Sequence, residues 1–431
     1  MTSPPTITRR PTERRGTSYV AVLGLATLVA AMAIGGSLVT ASNRAATSLR
    51  HDEQTARAAG MASLAWGTQV IASNASWRNA YTHGKYLDPV SLQHATMTYG
   101  LMDEDDGSFV DNVFDSVRIT GVGRSGLAAR AYSVALEPAG STLEALGLPL
   151  YTDENLTVSG TVYATGGSMA CGKLLTVNLL ATLDGSAECA ATLNLLGTVT
   201  GGYKTGVQPR LMPHRHVSSA YQSIATPIAF GLIPSGTISG RLLTPTSNPF
   251  GLPSSRGVYS ISVPIGSTLT ITNARLEATL VISLAAGARL VVSGTTLWEP
   301  PPGNYPALIV SGVATSTVTL QGSLSPLSES ATGVNFNPLS SPHASSSDTD
   351  TTDTYPSMIR GVVHIQGAGV SVSFTNDVHI RGACIVESSV SASNGANLVA
   401  DPMLFTNPPW GYFTPDTMRR VPSTWRREPV P

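Results

Sequence analysis

The stretch TLTITNARLEATLVISLAAGARLVVSGTTL, residues 268–297, decides the fold of the body of this chain. Its runs of β-branched residues alternate with small, turn-forming residues, a composition that favours short β-strands. No Asn-Gly or Asp-Gly pair separates the runs, although such pairs are the usual signature of a hairpin. Strands in series without hairpins predict stacked rungs of a right-handed parallel β-helix, with Ile271, Val281, Val291 and Ile309 in its internal ladder. A β-sandwich is the alternative.

Strand-like segments occur on both sides of this stretch, so the predicted fold class is mainly β. Upstream, the segments 116–120, 131–136, 156–163 and 174–180 are rich in β-branched residues. Downstream, GVVHIQ, GVSVSF and HIRGACIVE predict further rungs after Met358. A Ser- and Asp-rich stretch that contains SSPHASSSDTDTTD interrupts the rungs and predicts a loop.

Composition limits the classes of partner. The 431 residues include 26 basic and 27 acidic ones, for a formal net charge of −1, and only 12% of the chain is charged. An ordinary soluble domain has about 25% charged residues. A near-neutral chain lacks the broad positive field that nucleic-acid binding requires, so no nucleic-acid partner is expected. At 42% hydrophobic residues, the chain is also too apolar to be disordered throughout.

An apolar segment near the N-terminus predicts a membrane helix. Residues Ser18 to Thr40 carry no charge and are long enough to cross about 30 Å of hydrocarbon at about 1.5 Å per residue. Four arginines precede the segment, and the first charge after it is Arg44, so the positive-inside rule leaves the N-terminus in the cytoplasm. From Ala41 to Tyr81 the pattern stays helical and becomes amphipathic. A cleaved secretory signal is the alternative.

Arg14-Arg15-Gly16 stands directly before the apolar run, and a long continuous helix follows. This order resembles the N-terminus of type IV pilin-like proteins, especially minor pilins and minor pseudopilins, over about residues 9–80. The resemblance implies that a prepilin peptidase cuts after Gly16, which would make Thr17 the mature N-terminus. It also implies that the helix assembles with other pilin-like subunits of a type IV pilus or type II secretion apparatus. Major pilins have Glu at the fifth mature position, where this chain has Ala21. A single-pass anchor without processing is the alternative.

The densest acidic cluster of the chain is the candidate for a cation site. The ligands predicted for a Ca²⁺ loop are Asp103, Asp105, Asp106 and Asp111, because carboxylate oxygens are the ligands that Ca²⁺ prefers. An EF-hand is excluded, since its glycine position would place apolar residues at the first and last ligands. A solvated turn is the alternative, and no other cofactor is expected.

Cysteines and histidines give weaker signals. Cys171 and Cys189 predict one disulfide if the body lies outside the cytoplasm, with two separate buried thiols as the alternative. His214 and His216 have no further ligand nearby in the sequence, so a zinc site is not expected. His364 and His379 lie on strand candidates, where stacking between rungs, ordinary packing and turn capping are alternatives.

Catalytic motifs are not found. The match G-x-x-x-x-G-K that ends at Lys173 is followed by Leu174, where a P-loop needs Ser or Thr for Mg²⁺. The acidic residues of the predicted solenoid, such as Glu277 and Glu299, stand singly along the chain, so an enzyme is not expected. A carboxylate pair gathered in a groove of the fold would instead favour an anchored β-helix enzyme that acts on polysaccharide.

The sequence therefore predicts a membrane-anchored, pilin-like structural protein of a cell surface or secretion apparatus. It would be a single-pass protein of the inner membrane, with its body in the periplasm or on the cell surface. An anchored enzyme or adhesin for polysaccharide is the alternative. The predicted regions are a cytoplasmic leader (1–16), a transmembrane and amphipathic helix (17–81), a linking α+β region with the acidic loop (82–150), a β-solenoid (151–322), a Ser/Asp-rich loop (323–357), a solenoid continuation (358–406) and an irregular C-terminal cap (407–431).

Overall fold

The computed structural model describes residues 15–74 and 76–431, with side chains described from Ser18 onward. Most of the predicted leader, residues 1–14, lies outside the described residues. The α-helices of the described residues are α1 (Arg15–Ser73), α2 (Trp77–Ala80), α3 (His216–Ser223), α4 (Glu329–Thr332) and α5 (Pro402–Thr406). One long N-terminal helix followed by a mainly β body confirms the predicted fold class.

The strands are short and numerous. In chain order they are β1 (Val90–Ser91), β2 (Thr96–Asp103), β3 (Val117–Ser125), β4 (Ala128–Ala139), β5 (Leu150–Thr152), β6 (Leu156–Ser159), β7 (Thr161–Thr165), β8 (Met169–Cys171), β9 (Leu174–Val177), β10 (Thr182–Asp184), β11 (Ala187–Cys189), β12 (Thr192–Leu195), β13 (Thr198–Val199), β14 (Tyr203–Thr205), β15 (Thr226–Pro227), β16 (Thr237–Ser239), β17 (Leu242–Leu243), β18 (Val258–Val263), β19 (Thr268–Glu277), β20 (Thr279–Leu284), β21 (Arg289–Glu299), β22 (Leu308–Gly312), β23 (Thr317–Gln321), β24 (Leu327–Ser328), β25 (Thr354–Tyr355), β26 (Met358–Gln366), β27 (Ser371–Thr375), β28 (His379–Val386), β29 (Val390–Ser393), β30 (Ala396–Val399), β31 (Thr417–Arg420) and β32 (Arg426–Glu428).

The described chain divides into two compact units. The first, which we call the helix–sheet unit, comprises residues up to 111, 115–137 and 418–431. The second, the solenoid unit, comprises residues 112–114 and 138–417. In sequence, the solenoid unit is therefore an insertion between β4 and β31.

In the helix–sheet unit, the C-terminal half of α1 packs on an antiparallel sheet of order β1-β2-β3-β4-β31, with β32 also on β4. Buried residues recur along this half of the helix at Ala56, Ala59, Leu64 and Ile71, the spacing of one helical face. α1 confirms that the helix continues beyond the apolar segment, but it ends at Ser73 instead of about Tyr81, and α2 is a separate short helix.

Glycines permit the close approach of this helix to β3. A Cβ atom added at Gly121 would lie 2.6 Å from the carbonyl oxygen of Gly60, and one added at Gly123 would collide with the carbonyl oxygen of Ala56. At Gly67 an added Cβ would lie 2.8 Å from the Tyr99 ring. The contact surface therefore requires small residues on both the helix and the strand.

The solenoid unit is a β-helix, as predicted, rather than a β-sandwich. All of its ladders from β5 to β23 and from β26 to β30 are parallel and join in one 24-stranded sheet. Residues paired in this sheet come from successive coils, as in the register Val258↔Thr279 and Leu280↔Leu308. The handedness stays a prediction.

The order of the rungs differs from a simple progression along the chain. The first rung, β5–β7, stacks on the last rung, β28–β30, through three parallel ladders. From this junction β8–β14 build outward in one direction, and β15–β27 approach it from the other end. Residues 206–225 connect the two ends, and within them α3 lies along β18, β20 and β22. The solenoid thus consists of two halves that meet in the middle.

The predicted internal ladder is partly wrong. Ile271 is buried in the interior, but its partner on the next rung is Val292 instead of Val291. Val281 and Ile309 do stack on each other, but in a second apolar cluster that also contains Tyr412. The alternation of side chains along a strand explains the error, because neighbouring residues point to opposite faces.

Two other segments are more ordered than the sequence predicts. The Ser/Asp-rich loop, residues 323–357, contains β24, α4 and β25 and packs around a small core of Leu327, Phe336 and Tyr355. The C-terminal segment 407–431 is not irregular throughout, because β31 and β32 pair with the sheet of the helix–sheet unit. Pairing with a strand distant in sequence leaves no local periodic signal.

We expect Gly123→Ala to destabilise the helix–sheet unit by about 1–3 kcal/mol, because the new methyl group overpacks the contact with α1. Urea denaturation followed by circular dichroism in detergent measures the change. Leu127→Ala is the control, since the Leu127 side chain is 96% exposed. Equal stability of the two variants would contradict the close-approach argument.

Candidate functional site

The N-terminal half of α1 is an exposed apolar surface. The large side chains from Tyr19 to Val39 are more than half exposed, and the 18-residue apolar window has no buried residue. Among the described residues, α1 is the one helix long and apolar enough to cross a membrane, by length and composition. Gly16 and Thr17, the predicted processing residues, lie in the first turn of this helix, and their side chains are outside the described ones.

The acidic loop gathers part of the predicted cation site. Asp103, Asp106 and Asp115 each have a carboxylate oxygen within 4.8 Å of those of the other two. Asp115 was not among the predicted ligands. Asp105 is not in this group, although its amide donates to Asp103 Oδ1 over 2.8 Å. Asp111 instead interacts with Asp106 through their carboxyl groups.

Burial and like charge act on the carboxylates of this loop, and Arg78 is the cation that opposes them. The Asp103 side chain is 3% exposed, and its Oδ2 has no hydrogen-bond partner. Burial and then the neighbouring Asp103 and Asp111 raise the pKa of Asp115 to about 6, while the guanidinium of Arg78 opposes that shift. Two to three carboxylates this close together repel each other unless a proton or cation intervenes. The Ca²⁺ site stays a prediction, with Asp115 as an added ligand.

The cysteines stack at equivalent positions of adjacent rungs. Cys171 and Cys189 are partners in the ladder of β8 and β11, and both are buried free thiols. Strands in a sheet lie about 4.8 Å apart, a spacing that a disulfide accepts, although the predicted disulfide is not formed in the structure. Burial and then the neighbouring Cys189 raise the pKa of Cys171 to about 12, so it is not a reactive thiolate. Cys384 is a buried thiol beside Leu150.

Three histidines of the solenoid unit lie against aromatic rings or between rungs. His214 and His216 lie at the start of α3 with ring centroids 4.7 Å apart, and neither belongs to a group of three metal-ligating side chains among the described residues. His364 is fully buried between Ile309 and Ile385 of adjacent rungs. Its Nδ1 lies 3.3 Å from the Tyr412 hydroxyl, and its Nε2 has no partner.

A ladder of charged side chains, which sequence inspection missed, crosses one face of the solenoid. Glu277 and Glu299 are partners in adjacent rungs, and Arg360 and Arg381 are partners in the following ones. Both glutamates follow the last apolar residue of a long strand, in RLE and LWE, so an alignment of β19 with β21 would have revealed their stacking. Like charges directly opposite are unfavourable in a sheet, and here an arginine offsets each glutamate, Arg275 for Glu277 and Arg360 for Glu299.

Three members of the ladder, Glu277, Glu299 and Arg360, line a cleft of about 420 Å³. Glu299 accepts from Arg360 over 2.7 Å and lies 3.4 Å from Nε2 of His343. Glu277 accepts from Arg275 over 2.9 Å. The Pro-rich segment 300–305, which ends in Asn304 and Tyr305, forms another wall, so the cleft offers charged, amide and aromatic groups to a ligand.

Burial and like charge perturb the ionisable groups of the cleft. Burial raises the pKa of Glu277, Arg275 lowers it, and Glu299 raises it further. Burial lowers the pKa of His343, and the adjacent Glu299 partly restores it. Since both carboxylates have cationic partners, the cleft can bind polar groups with a fixed set of donors and acceptors.

Comparisons with known proteins add little to this geometry. No protein-family model and no curated protein matches the chain. Among solved structures, the chain is similar to the crystal structure of the competence-associated pilin ComZ from Thermus thermophilus, with 11% identity over 88% of this chain and 98% of that one. The TM-score of this match is 0.30, which is too low to show that the two chains share a fold. The long apolar N-terminal helix that the pilin-like resemblance implies, and the β-rich body that the strand patterns predict, are both present in this chain.

We expect the stability of the solenoid unit to fall as the pH decreases from about 6.5 to 4. Burial lowers the pKa of His364 from 6.5 to about 4, so in this range the unfolded chain binds a proton that the folded chain does not. The loss amounts to about 3 kcal/mol at most. Denaturant titrations at several pH values measure it.

Ile309, His364 and Ile385 occupy aligned positions in three adjacent strands. His364→Ile would place isoleucine at all three positions and should remove this part of the pH dependence. His94→Gln is the control, because His94 is exposed. An unchanged pH profile in His364→Ile would show that other groups cause the acid sensitivity.

Proposed function

We propose that the chain is a membrane-anchored, pilin-like structural subunit whose α1 helix both anchors it and assembles with other subunits. The observation that carries the proposal is the continuous 59-residue helix, exposed and apolar in its first half and packed on an antiparallel sheet in its second. An exposed apolar surface of this size needs lipid or other helices to cover it. The same surface can lie in the membrane before assembly and against other subunits after it, because lipid and packed helices are both apolar.

Small residues favour the assembly role. Ala31 and Gly35 are spaced four apart, and an added Cβ at Gly24, Gly35 or Gly36 would meet no atom within 4 Å. Such small-residue positions let helices approach closely in an apolar medium. We propose processing by a prepilin peptidase between Gly16 and Thr17, a cytoplasmic leader, and a body exported from the inner membrane in a type IV pilus or type II secretion apparatus.

We expect the membrane-extracted protein to begin at Thr17 when its N-terminus is sequenced. Gly16→Leu should leave the leader attached, since the proposed cut follows this glycine. Gly24→Leu is the matched control, because it makes the same change inside the apolar segment. An intact Met1 in the unmodified protein would leave a plain anchor, and a start near residue 42 would contradict both the pilin-like and the anchor proposals.

The charge ladder supports a second candidate function, the binding of a polysaccharide along the solenoid. Clefts that combine carboxylates, amides and an aromatic ring can hydrogen-bond sugar hydroxyls while an apolar ring face packs beside them. We propose binding because arginines engage both Glu277 and Glu299. The two carboxylates do share one cleft, which is the arrangement that favours an enzyme, so turnover is the rival outcome of the next experiment.

We expect Glu299→Gln to weaken retention of the protein on polysaccharide surfaces by about tenfold, since it removes the negative charge and one of the two acceptor oxygens that orient Arg360 and His343. A glycan array with the full-length protein in detergent measures the retention. Glu137→Gln is the control, because Glu137 pairs with an exposed arginine of the helix–sheet unit. Release of shortened oligosaccharides would favour the enzyme instead, and equal retention of both variants would exclude this cleft.

A further inference from the structure

We propose that the solenoid binds a polysaccharide that carries carboxylate groups, and that Arg381 recognises a sugar carboxylate. The inference rests on the polysaccharide binding proposed above and names the class of glycan. It concerns the cleft of Glu277 and Glu299, which we call the first cleft, and a second cleft of about 400 Å³ in the same solenoid unit.

Three polar side chains of the second cleft form a column across adjacent rungs. His379, Asn397 and Tyr163 are register partners in β28, β30 and β7. All three line the cleft, and their side chains form no hydrogen bond with another described residue. Tyr163 is 41% exposed, so its ring can pack against the apolar face of a sugar. The column therefore offers a ligand hydrogen-bonding groups that the fold itself does not use.

Arg381 lies between the two clefts. It follows His379 by two residues on β28, so both side chains point to the same face of the sheet. Its neighbour His379 lines the second cleft, whereas the carboxylate with which it pairs, Asp401, lines the first. A chain-like ligand that occupies both clefts therefore passes over this guanidinium.

Arg381 has a weaker partner than the arginine before it in the charge ladder. Arg360 donates to Glu299 over 2.7 Å. The Nε of Arg381, by contrast, lies 4.0 Å from Asp401, which is beyond hydrogen-bond distance. The other oxygen of Asp401 accepts from the amide of Met403 at the start of α5. Since the Arg381 side chain is 54% exposed, its donors are available to a ligand.

The charge of Arg381 extends into the second cleft. Burial and then the charge of Arg381 lower the pKa of His379. The one carboxylate among the lining residues of this cleft is Asp377, and its Oδ1 lies against the backbone of Gly395 at a turn. At His379 the effect of the arginine therefore prevails over that of Asp377.

This arrangement favours an acidic polysaccharide over a neutral one. A guanidinium forms two parallel hydrogen bonds with a carboxylate, a geometry that a sugar hydroxyl does not match. Asn397 and the Tyr163 hydroxyl provide donors and acceptors for the hydroxyl groups beside that carboxylate. On the next two rungs the register partners of Arg381 are Val399 and Thr165, so no carboxylate of the protein follows it in the column.

The test measures retention of the full-length protein, in detergent, on immobilised polygalacturonate and alginate. Each polymer is compared with the same polymer after chemical reduction of its carboxyl groups. A chelator is present, so that divalent ions do not link the polymers to acidic loops of the protein. We expect stronger retention on the acidic forms, and added NaCl should weaken it because exposed charges are screened. Arg381→Gln should lower retention on the acidic forms about tenfold and leave retention on the reduced forms unchanged.

Arg289→Gln is the matched control, because Arg289 is an exposed arginine of β21 that lines neither cleft. Arg381→Lys should keep part of the preference for acidic forms, since lysine retains the charge but not the paired hydrogen bonds. Tyr163→Ala should weaken retention on both forms, because the ring contacts the sugar and not its carboxylate.

Equal retention on the acidic and reduced forms would overturn the inference and leave polysaccharide binding in place. The same holds if Arg381→Gln is retained on the acidic forms as strongly as the unmodified protein. Retention on neither form would contradict both the inference and the polysaccharide-binding function on which it rests.

Discussion

The entry and exit of the inserted solenoid unit lie side by side, and its order of rungs depends on this constraint. Thr142 and Phe413 form an antiparallel bridge, and the amide of Thr414 donates to the carbonyl of Ser141 over 3.0 Å. An insertion between two paired strands must begin and end at nearly the same place. The first rung, β5–β7, and the last rung, β28–β30, are therefore neighbours in the stack. The chain then has to reach both ends of the stack, which is why residues 206–225 run from one end to the other.

Three groups of closely spaced carboxylates stand out in the described part of this weakly charged chain. One is the acidic loop with the buried Asp103, another is the ladder that includes Glu277 and Glu299, and the last is the Ser/Asp-rich loop with Glu329. The rungs themselves are built of small and β-branched residues with Ser and Thr outside. In so apolar a chain, a buried or stacked charge is costly and needs a partner. The distribution of charge therefore shows where the described fold holds carboxylates close together at an electrostatic cost.

Local patterns predicted the helix and the type of body but not the arrangement of the rungs. The uncharged run from Ser18 to Thr40 and the β-branched runs of residues 268–297 are local signals, and both were interpreted correctly. The stacking of Cys384 on Leu150 joins positions more than two hundred residues apart, and no periodicity reveals it. Asp115 was missed as a member of the acidic group for a similar reason, since the turn between it and Asp106 sets their distance. Val291 was placed in the ladder instead of Val292 because β-branched residues occupy both positions.

The two-halved stack has a consequence for how the chain is made. Residues 150–205 are synthesised long before β28–β30, so during that interval one side of β5–β7 is an open parallel edge. Such an edge pairs with any complementary strand that reaches it. The last rung of the same chain is one such partner, and the last rung of a second copy is chemically identical. Exchange of C-terminal halves between copies is therefore the misassembly that this topology favours, and rapid completion of each chain in isolation protects against it.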